Sequence, residues 1–187
     1  QDHVVKAEIL LHGSFATTGI GHGTDKALIA GLLGMRPDDI RIPDSFFLAK
    51  KDGMEFSFST ITLKDAHPNT AVLRLTGEHG RKIEVQAASI GGGRILIAKL
   101  DGIEVNFSAE KPTLIVHNVD QPGHVAQVTS MLAEKQVNIA TLQLYRDKRG
   151  GYAVMVIETD QEVPDESVAW LEQLDGIIKV TYINVEE

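Results

Sequence analysis

Thr113-Leu114-Ile115-Val116-His117-Asn118-Val119-Asp120-Gln121-Pro122-Gly123 is the stretch that decides the fold of the C-terminal part of this 187-residue chain. An apolar run of strand length gives way to an aspartate, a proline and a glycine. That is the composition of a helix start, because Asp120 can cap and proline is tolerated in the first turn. Val125, Val128 and Leu132 follow at i, i+3 and i+7 and predict one apolar helix face. Further on, Ala140, Leu142 and Leu144 alternate along 138–146, and Asp147-Lys148-Arg149-Gly150-Gly151 predicts a turn. Residues 152–158 are apolar on both sides, as a central strand should be. A second helix is expected from about Pro164, with Val168, Leu171 and Leu174 inward and Gly176 ending it. Residues 178–182 then alternate as a closing strand. The order βαββαβ over 113–187 is that of a ferredoxin-like sandwich, and right-handed crossovers leave few other topologies. A core this small rarely supplies more than roughly 3–5 kcal/mol. The uncovered sheet face or an edge is therefore expected to pack on another copy, making a homo-oligomer.

Upstream, Ser108-Ala109-Glu110-Lys111-Pro112 reads as a polar linker, so residues 1–108 form a separate domain. Val5, Ala7, Ile9 and Leu11 alternate with polar residues and predict a strand over 4–11. A helix is expected from Thr24, with Thr24 as cap, Asp25 in the first turn, Leu28 and Leu32 inward and Gly34 as stop. Strands are expected at 54–63, 71–76, 82–88, 94–100 and 103–107. Residues 65–70 interrupt them, and Asp101-Gly102 is a strong two-residue hairpin signal. The fold class is α+β, with a mixed-sheet N-terminal domain carrying one clear helix. The glycines at 19, 21 and 23 do not make a dinucleotide site, because they neither follow the strand directly nor keep the G-x-G-x-x-G spacing. Gly91-Gly92-Gly93 admits two readings: close approach of backbone to a ligand or another chain, or a bulge or wide turn.

The totals exclude several roles. A formal net charge of −8 with no basic block speaks against nucleic-acid binding. No apolar segment approaches the roughly 18 residues of a membrane span. The chain has no cysteine, so it offers neither disulfides nor thiolate ligands, and no histidine spacing suggests zinc. His3, His79, His117 and His124 read as scattered on strand ends or turns, with no catalytic role. Residue 1 is Gln, and nothing resembles a signal peptide, so a cytoplasmic protein lacking its true beginning is expected.

Asp120-Gln121-Pro122-Gly123 after the first strand of the C-terminal module, with Val137-Asn138-Ile139 entering the second, resembles the ACT family of amino-acid-sensing domains. Effectors in that family sit between two copies near the first turn. The resemblance therefore implies Asp120, Pro122, Gly123 and Asn138 as effector positions, beside a helix N-terminus suited to a carboxylate. More widely, HGSFATTGIGHGTD (12–25), HPNTA (67–71), SIGGG (89–93) and the terminal module together resemble the β subunit of the iron–sulfur-dependent L-serine dehydratases. The family's G-P-S-S-S-H-T segment is absent, so the sequence starts late relative to it.

This resemblance implies elimination of water from L-serine, giving pyruvate and ammonia. It also implies a 4Fe–4S cluster held by cysteines of a partner α subunit or domain, with no metal ligated by this chain. His67 would transfer a proton or bind the substrate hydroxyl, and Asn69 and Thr70 would hydrogen-bond the substrate. Ser89, counted with His67 as catalytic, would cradle the carboxylate together with the backbone of Gly91, Gly92 and Gly93. His22 and Thr24 would line the same interface, with His12 a further candidate. A second reading is a non-catalytic serine-binding regulatory region like that ending some phosphoglycerate dehydrogenases, and a third is a standalone amino-acid sensor.

Overall fold

The computed structural model describes residues 3–184. The outer ends of both expected domains, residues 1–2 and 185–187, lie outside the described residues. Two compact units result, Gln1–Gly102 and Ile103–Glu187.

The first unit opens with β1 (Val4–Gly13), whose alternation turns Ala7, Ile9 and Leu11 toward one apolar cluster. Three helices follow, α1 (Ser14–Thr18), α2 (Thr24–Leu32) and α3 (Ser45–Lys51), then β2 (Glu55–Thr60), β3 (Asn69–Gly77), β4 (Lys82–Gly91) and β5 (Arg94–Leu100). The strands lie in the order β2-β1-β3-β4-β5. The β1–β2 pair is parallel and the others antiparallel, which makes the sheet mixed. A parallel neighbour requires a long crossover, and the three helices supply it. Ile29 of α2 and Ala49 of α3 share the cluster with β1, and the Ser45 hydroxyl donates to the Lys26 carbonyl at 2.9 Å. Phe46 stacks 5.0 Å from Phe56 and 5.8 Å from Phe58.

The single expected helix is thus corrected to three, with a 3-10 turn at Ile42–Asp44 before α3. Thr24 does not cap α2. Gly23, at φ 74, precedes the helix and no side chain caps it. Residues 54–63 give a shorter strand than expected. Asn69 and Thr70 belong to β3 rather than to the loop, and β4 runs on through Ser89 to Gly91. Asp101 and Gly102 both take positive φ, 47° and 83°, as a type I′ turn requires.

The second unit comprises β6 (Ile103–Phe107), β7 (Thr113–Val119), α4 (His124–Glu134), β8 (Ile139–Arg146), β9 (Tyr152–Thr159), α5 (Asp165–Leu171) and β10 (Ile177–Ile183). Its four-stranded sheet has the order β10-β7-β9-β8, antiparallel throughout. Leu114, Val116, Met155 and Ile157 meet Val128, Met131, Leu132 and Leu171 of the helices in one buried cluster. Each such aliphatic side chain contributes about 1.5–3 kcal/mol when fully buried. Val125, expected inward, is exposed.

On the sheet face away from the helices, Ile115, Val154 and Val156 are also 0–1% exposed. Apolar side chains stay exposed instead along the sheet edges, at Leu142 and Leu144 of β8 and Ile178 of β10. His117 is not at a strand end: it lies within β7, wholly buried, its Nδ1 hydrogen-bonded with the Tyr152 hydroxyl. His124 begins α4 and is buried. The second helix ends at Leu171, and Gly176 (φ 80) sits in the turn before β10. Among the described residues, no helix is long and apolar enough to cross a membrane.

Candidate functional site

Strand register gathers the N-terminal candidates at one end of the first sheet. Gly13 of β1 pairs with Asn69 of β3, and His12 with Thr70. Thr70 pairs with Ala88 of β4, which sets Asn69 and Ser89 next in line, and Ser89 pairs with Ile95 of β5. Segments 12–13, 67–70 and 88–91 therefore share one row, with neighbouring backbones about 5 Å apart.

The row is locked at its β1 end. The Ser14 amide donates to the Pro68 carbonyl at 2.8 Å. A Cβ on Gly13 would stand 2.5 Å from that carbonyl oxygen, and Gly13 takes φ +57. Glycine is required here on both counts. The His67-Pro68 turn is thereby pinned against the end of β1, an arrangement the sequence marks only by a glycine at the end of an alternating strand.

Hydrogen bonds assign opposite proton polarities to two histidines. The Asn69 amide donates to His67 Nδ1 at 3.1 Å. Since Nδ1 accepts, neutral His67 carries its proton on Nε2. His22 Nδ1 faces the Thr18 carbonyl at 2.9 Å. A carbonyl only accepts, so neutral His22 carries its proton on Nδ1 and leaves Nε2 as a free lone pair. Both rings are exposed. His12 is part-buried and accepts the Leu63 amide at Nδ1, 3.2 Å away, which ties β1 to the segment after β2.

Thr70 is spent internally: it is 1% exposed and its hydroxyl donates to the His67 carbonyl at 2.6 Å. Asn69 and Ser89 remain part-exposed. Thr24 is part-buried at the start of α2, and its amide donates to the Gly19 carbonyl at 2.9 Å. Gly91 pairs with Arg94 around Gly92 and Gly93, whose φ values are 64° and 75°. This is a two-residue hairpin turn with a register shift between Ser89 and Gly91. The turn reading of the glycine run is thus met. A Cβ on any of the three would meet nothing within 4 Å, so the backbone is open. Ile20 (70% exposed), Ile90 and Ile95 add exposed apolar surface on the same segments.

In the second unit the four candidates separate. Asp120 does not cap α4, which starts after Gly123 with no side-chain cap. Its Oδ2 instead accepts the Gly150 amide at 2.8 Å and Arg146 Nη1 at 3.2 Å. The Gly150 amide, and then Arg146, hold its carboxyl below the ordinary aspartate value. Pro122 and Gly123 stay exposed on the loop between β7 and α4. Asn138 lies beyond α4 at the opposite end of the sheet. There its Nδ2 donates to Asp160 at 2.7 Å, and Asp160 also binds Lys111 at 2.8 Å.

The chain contains no cysteine. Among the described residues no group of three or more His, Asp or Glu side chains converges as a metal site. The donors present do not fit an iron–sulfur cluster.

The second unit is an ACT domain, the family matched by residues 112–176. Residues 1–52 match the serine dehydratase beta chain family. The chain is 34% identical over 181 residues to the L-serine dehydratase beta chain of Peptoniphilus asaccharolyticus, covering 96% of this chain and 82% of that one. It is 37% identical over 175 residues to the probable L-serine dehydratase beta chain of Bacillus subtilis, covering 94% and 79%. A D-3-phosphoglycerate dehydrogenase of Archaeoglobus fulgidus is 26% identical over 183 residues, which is 96% of this chain and 34% of that protein. The chain belongs to the L-serine dehydratase β-chain family.

Proposed function

We propose that this chain works with a cluster-bearing α subunit or domain to convert L-serine to pyruvate and ammonia, completing the active site with the row at the end of its first sheet. The observation that carries this reading is the convergence of the 67–70 segment, with His67 and Asn69, and the 88–91 segment, with Ser89, on one open sheet end in a chain of this family. The 4Fe–4S cluster is assigned to the partner, because this chain lacks the thiolates to hold one. Exposed Ile20, Ile90 and Ile95 suit a surface that meets that partner.

In the elimination, the Cα–H bond and the Cβ–O bond of L-serine break. The hydroxyl leaves as water after taking a proton, and 2-aminoacrylate forms. Its imine tautomer then takes up water and releases ammonia, leaving pyruvate. His67 serves as donor to the departing hydroxyl: with Nδ1 occupied by the Asn69 amide, Nε2–H is the atom it offers. His22 offers a lone pair at Nε2 and so suits the accepting role, with Thr24 holding its loop onto α2. Asn69 hydrogen-bonds the substrate, and Ser89 with the Gly91, Gly92 and Gly93 amides receives its carboxylate. Thr70 acts through the turn, by fixing the His67 carbonyl.

In the ACT domain, Asp120, Pro122, Gly123 and Asn138 form an amino-acid effector site. Because Asp120 and Asn138 sit at opposite ends of one sheet, two copies are needed to bring them together. This accords with a homo-oligomer joined along the exposed β8 edge.

The test is pyruvate formation from L-serine by the chain mixed anaerobically with its cysteine-bearing partner, each chain alone serving as control. Turnover in the mixture alone supports the proposal, and full activity of His67→Ala in the mixture removes His67 from it. Saturable L-serine binding to this chain with no turnover in an associated, cluster-loaded mixture would favour the regulatory reading, which the phosphoglycerate dehydrogenase match motivates.

A further inference from the structure

The ACT domain carries a groove between α4 and α5 of about 630 Å³, within the range of small-molecule sites. None of its lining residues belongs to the Asp120–Gly123 loop, and Asn138 is not among them. Its floor is apolar, from Ala126 and the nearly buried Met131, and Trp170 stands beside it with 43% of its surface exposed. Ser167 lines it too. That side chain is 2% exposed, yet its hydroxyl has no hydrogen-bond partner, which is an uncommon state for a buried polar group. On the rim, Lys135 Nζ meets Glu166 Oε1 at 2.5 Å. Glu134 lines the groove as well.

We propose that this groove binds a free amino acid with a large apolar side chain. A zwitterion requires both signs of charge within a few ångströms, and the Lys135–Glu166 pair presents both. The pair is well exposed and so contributes little as a surface ion pair. Exchanging its two ends for a ligand carboxylate on Lys135 and a ligand ammonium on Glu166 therefore costs little. Glu134 tips the rim to two negative groups against one positive, which favours the ammonium and turns away phosphate-bearing anions. The indole face of Trp170 attracts the same cation, and the ligand side chain lies over Met131 and Ala126. A rotation of Ser167 brings its unused hydroxyl to the carboxylate.

Trp170 is the single tryptophan of the chain, so its fluorescence reports on this groove directly. The full chain is titrated with L-leucine and L-phenylalanine, with inorganic phosphate as control and calorimetry as a second readout. The expected result is a saturable change in Trp170 emission with at least one of the two amino acids and none with phosphate. Lys135→Met and Glu166→Gln should each weaken binding roughly tenfold, the scale of one charge-assisted hydrogen bond. Ala126→Phe, at an exposed helix position, should abolish it by filling the groove, while Asp120→Asn leaves it unchanged. The proposal is overturned if neither amino acid gives a saturable signal up to roughly 10 mM, weaker than any useful site. It is also overturned if Asp120→Asn abolishes the signal and Ala126→Phe spares it. A Trp170 signal that follows protein concentration without ligand would assign the groove to self-association and overturn it as well.

Discussion

The two units treat their candidate residues in opposite ways. In the first, residues 56 and 20 positions apart in sequence, at Gly13, Asn69 and Ser89, fall into one row because adjacent strands bring them into register. In the second, Asp120 and Asn138 lie about as far apart in sequence as Asn69 and Ser89, but are separated by the whole of α4. Eleven helical residues, at about 1.5 Å each, carry the chain roughly 16 Å. Pairing between strands collects residues, and a helix between two strands sends them to opposite ends. A row made in the first way is assembled within one chain, whereas residues parted in the second way can meet only across two copies.

Four experiments break or sharpen that contrast. The largest effect is expected from His67→Ala in the assembled enzyme, which should lower kcat by roughly 10²–10⁴-fold, the usual weight of one proton-transfer group. Its circular dichroism should be unchanged, because the exposed ring supports only the turn. Gly13→Val should come next. It drives a β-branched side chain into the Pro68 carbonyl and imposes a positive φ on valine, costing roughly 3 kcal/mol or more. Thermal melting should fall by more than 10 °C or so, and activity should fall with it because the row loses its lock. A normal melting temperature would mean that the row is not held there.

Gly176→Ala tests the second unit in the same way. Its Cβ would lie 2.6 Å from His124 Nε2, at φ +80. The expected loss is about 1–2 kcal/mol by chemical denaturation, with dehydratase activity unchanged at permissive temperature. The smallest effect belongs to Asp120→Asn. The folded carboxyl titrates below the ordinary aspartate value of 3.8, so its stabilisation is present above the unfolded pKa and lost as pH falls through the folded one. The variant should therefore melt earlier than the parent at neutral pH, and the gap should close in acid. A gap that stays constant down to the acid limit would show that the Asp120 charge is not what holds the Gly150 turn.

The ACT domain was legible in the sequence because its strands and α4 are long and periodic, and because turn signals bound even the seven-residue α5, between Pro164 and Gly176. The N-terminal helices were less so. α1 and α3 have five and seven residues, too short for a 3.6-residue period to register, although Pro43 before α3 and Lys50-Lys51 at its end are start and stop marks. A carboxylate just before a helix fits a cap and a hairpin clamp equally well, and only the position of Gly150 shows that Asp120 serves the clamp. The motif segments at 67–70 and 89–93 were recognisable individually. Their convergence was not, because it depends on register, and the β4 register shifts at Ser89. Thr70 shows the same limit, since nothing in its sequence neighbourhood reveals that its hydroxyl is taken up by the His67 carbonyl.

The place of β1 in its sheet has a consequence for how the chain is made. Its partners on either side are residues 55–60 and 69–77, so on a ribosome β1 exists for dozens of residues with both edges bare. The contacts that close them span long loops, which slows folding and leaves an apolar strand open to wrong pairing meanwhile. Only when Asn69–Gly77 has emerged can β1 be enclosed on both sides, and the same event seats Pro68 against Gly13. The part of the row shared by β1 and β3 and the first enclosed form of β1 therefore arise in a single step of synthesis.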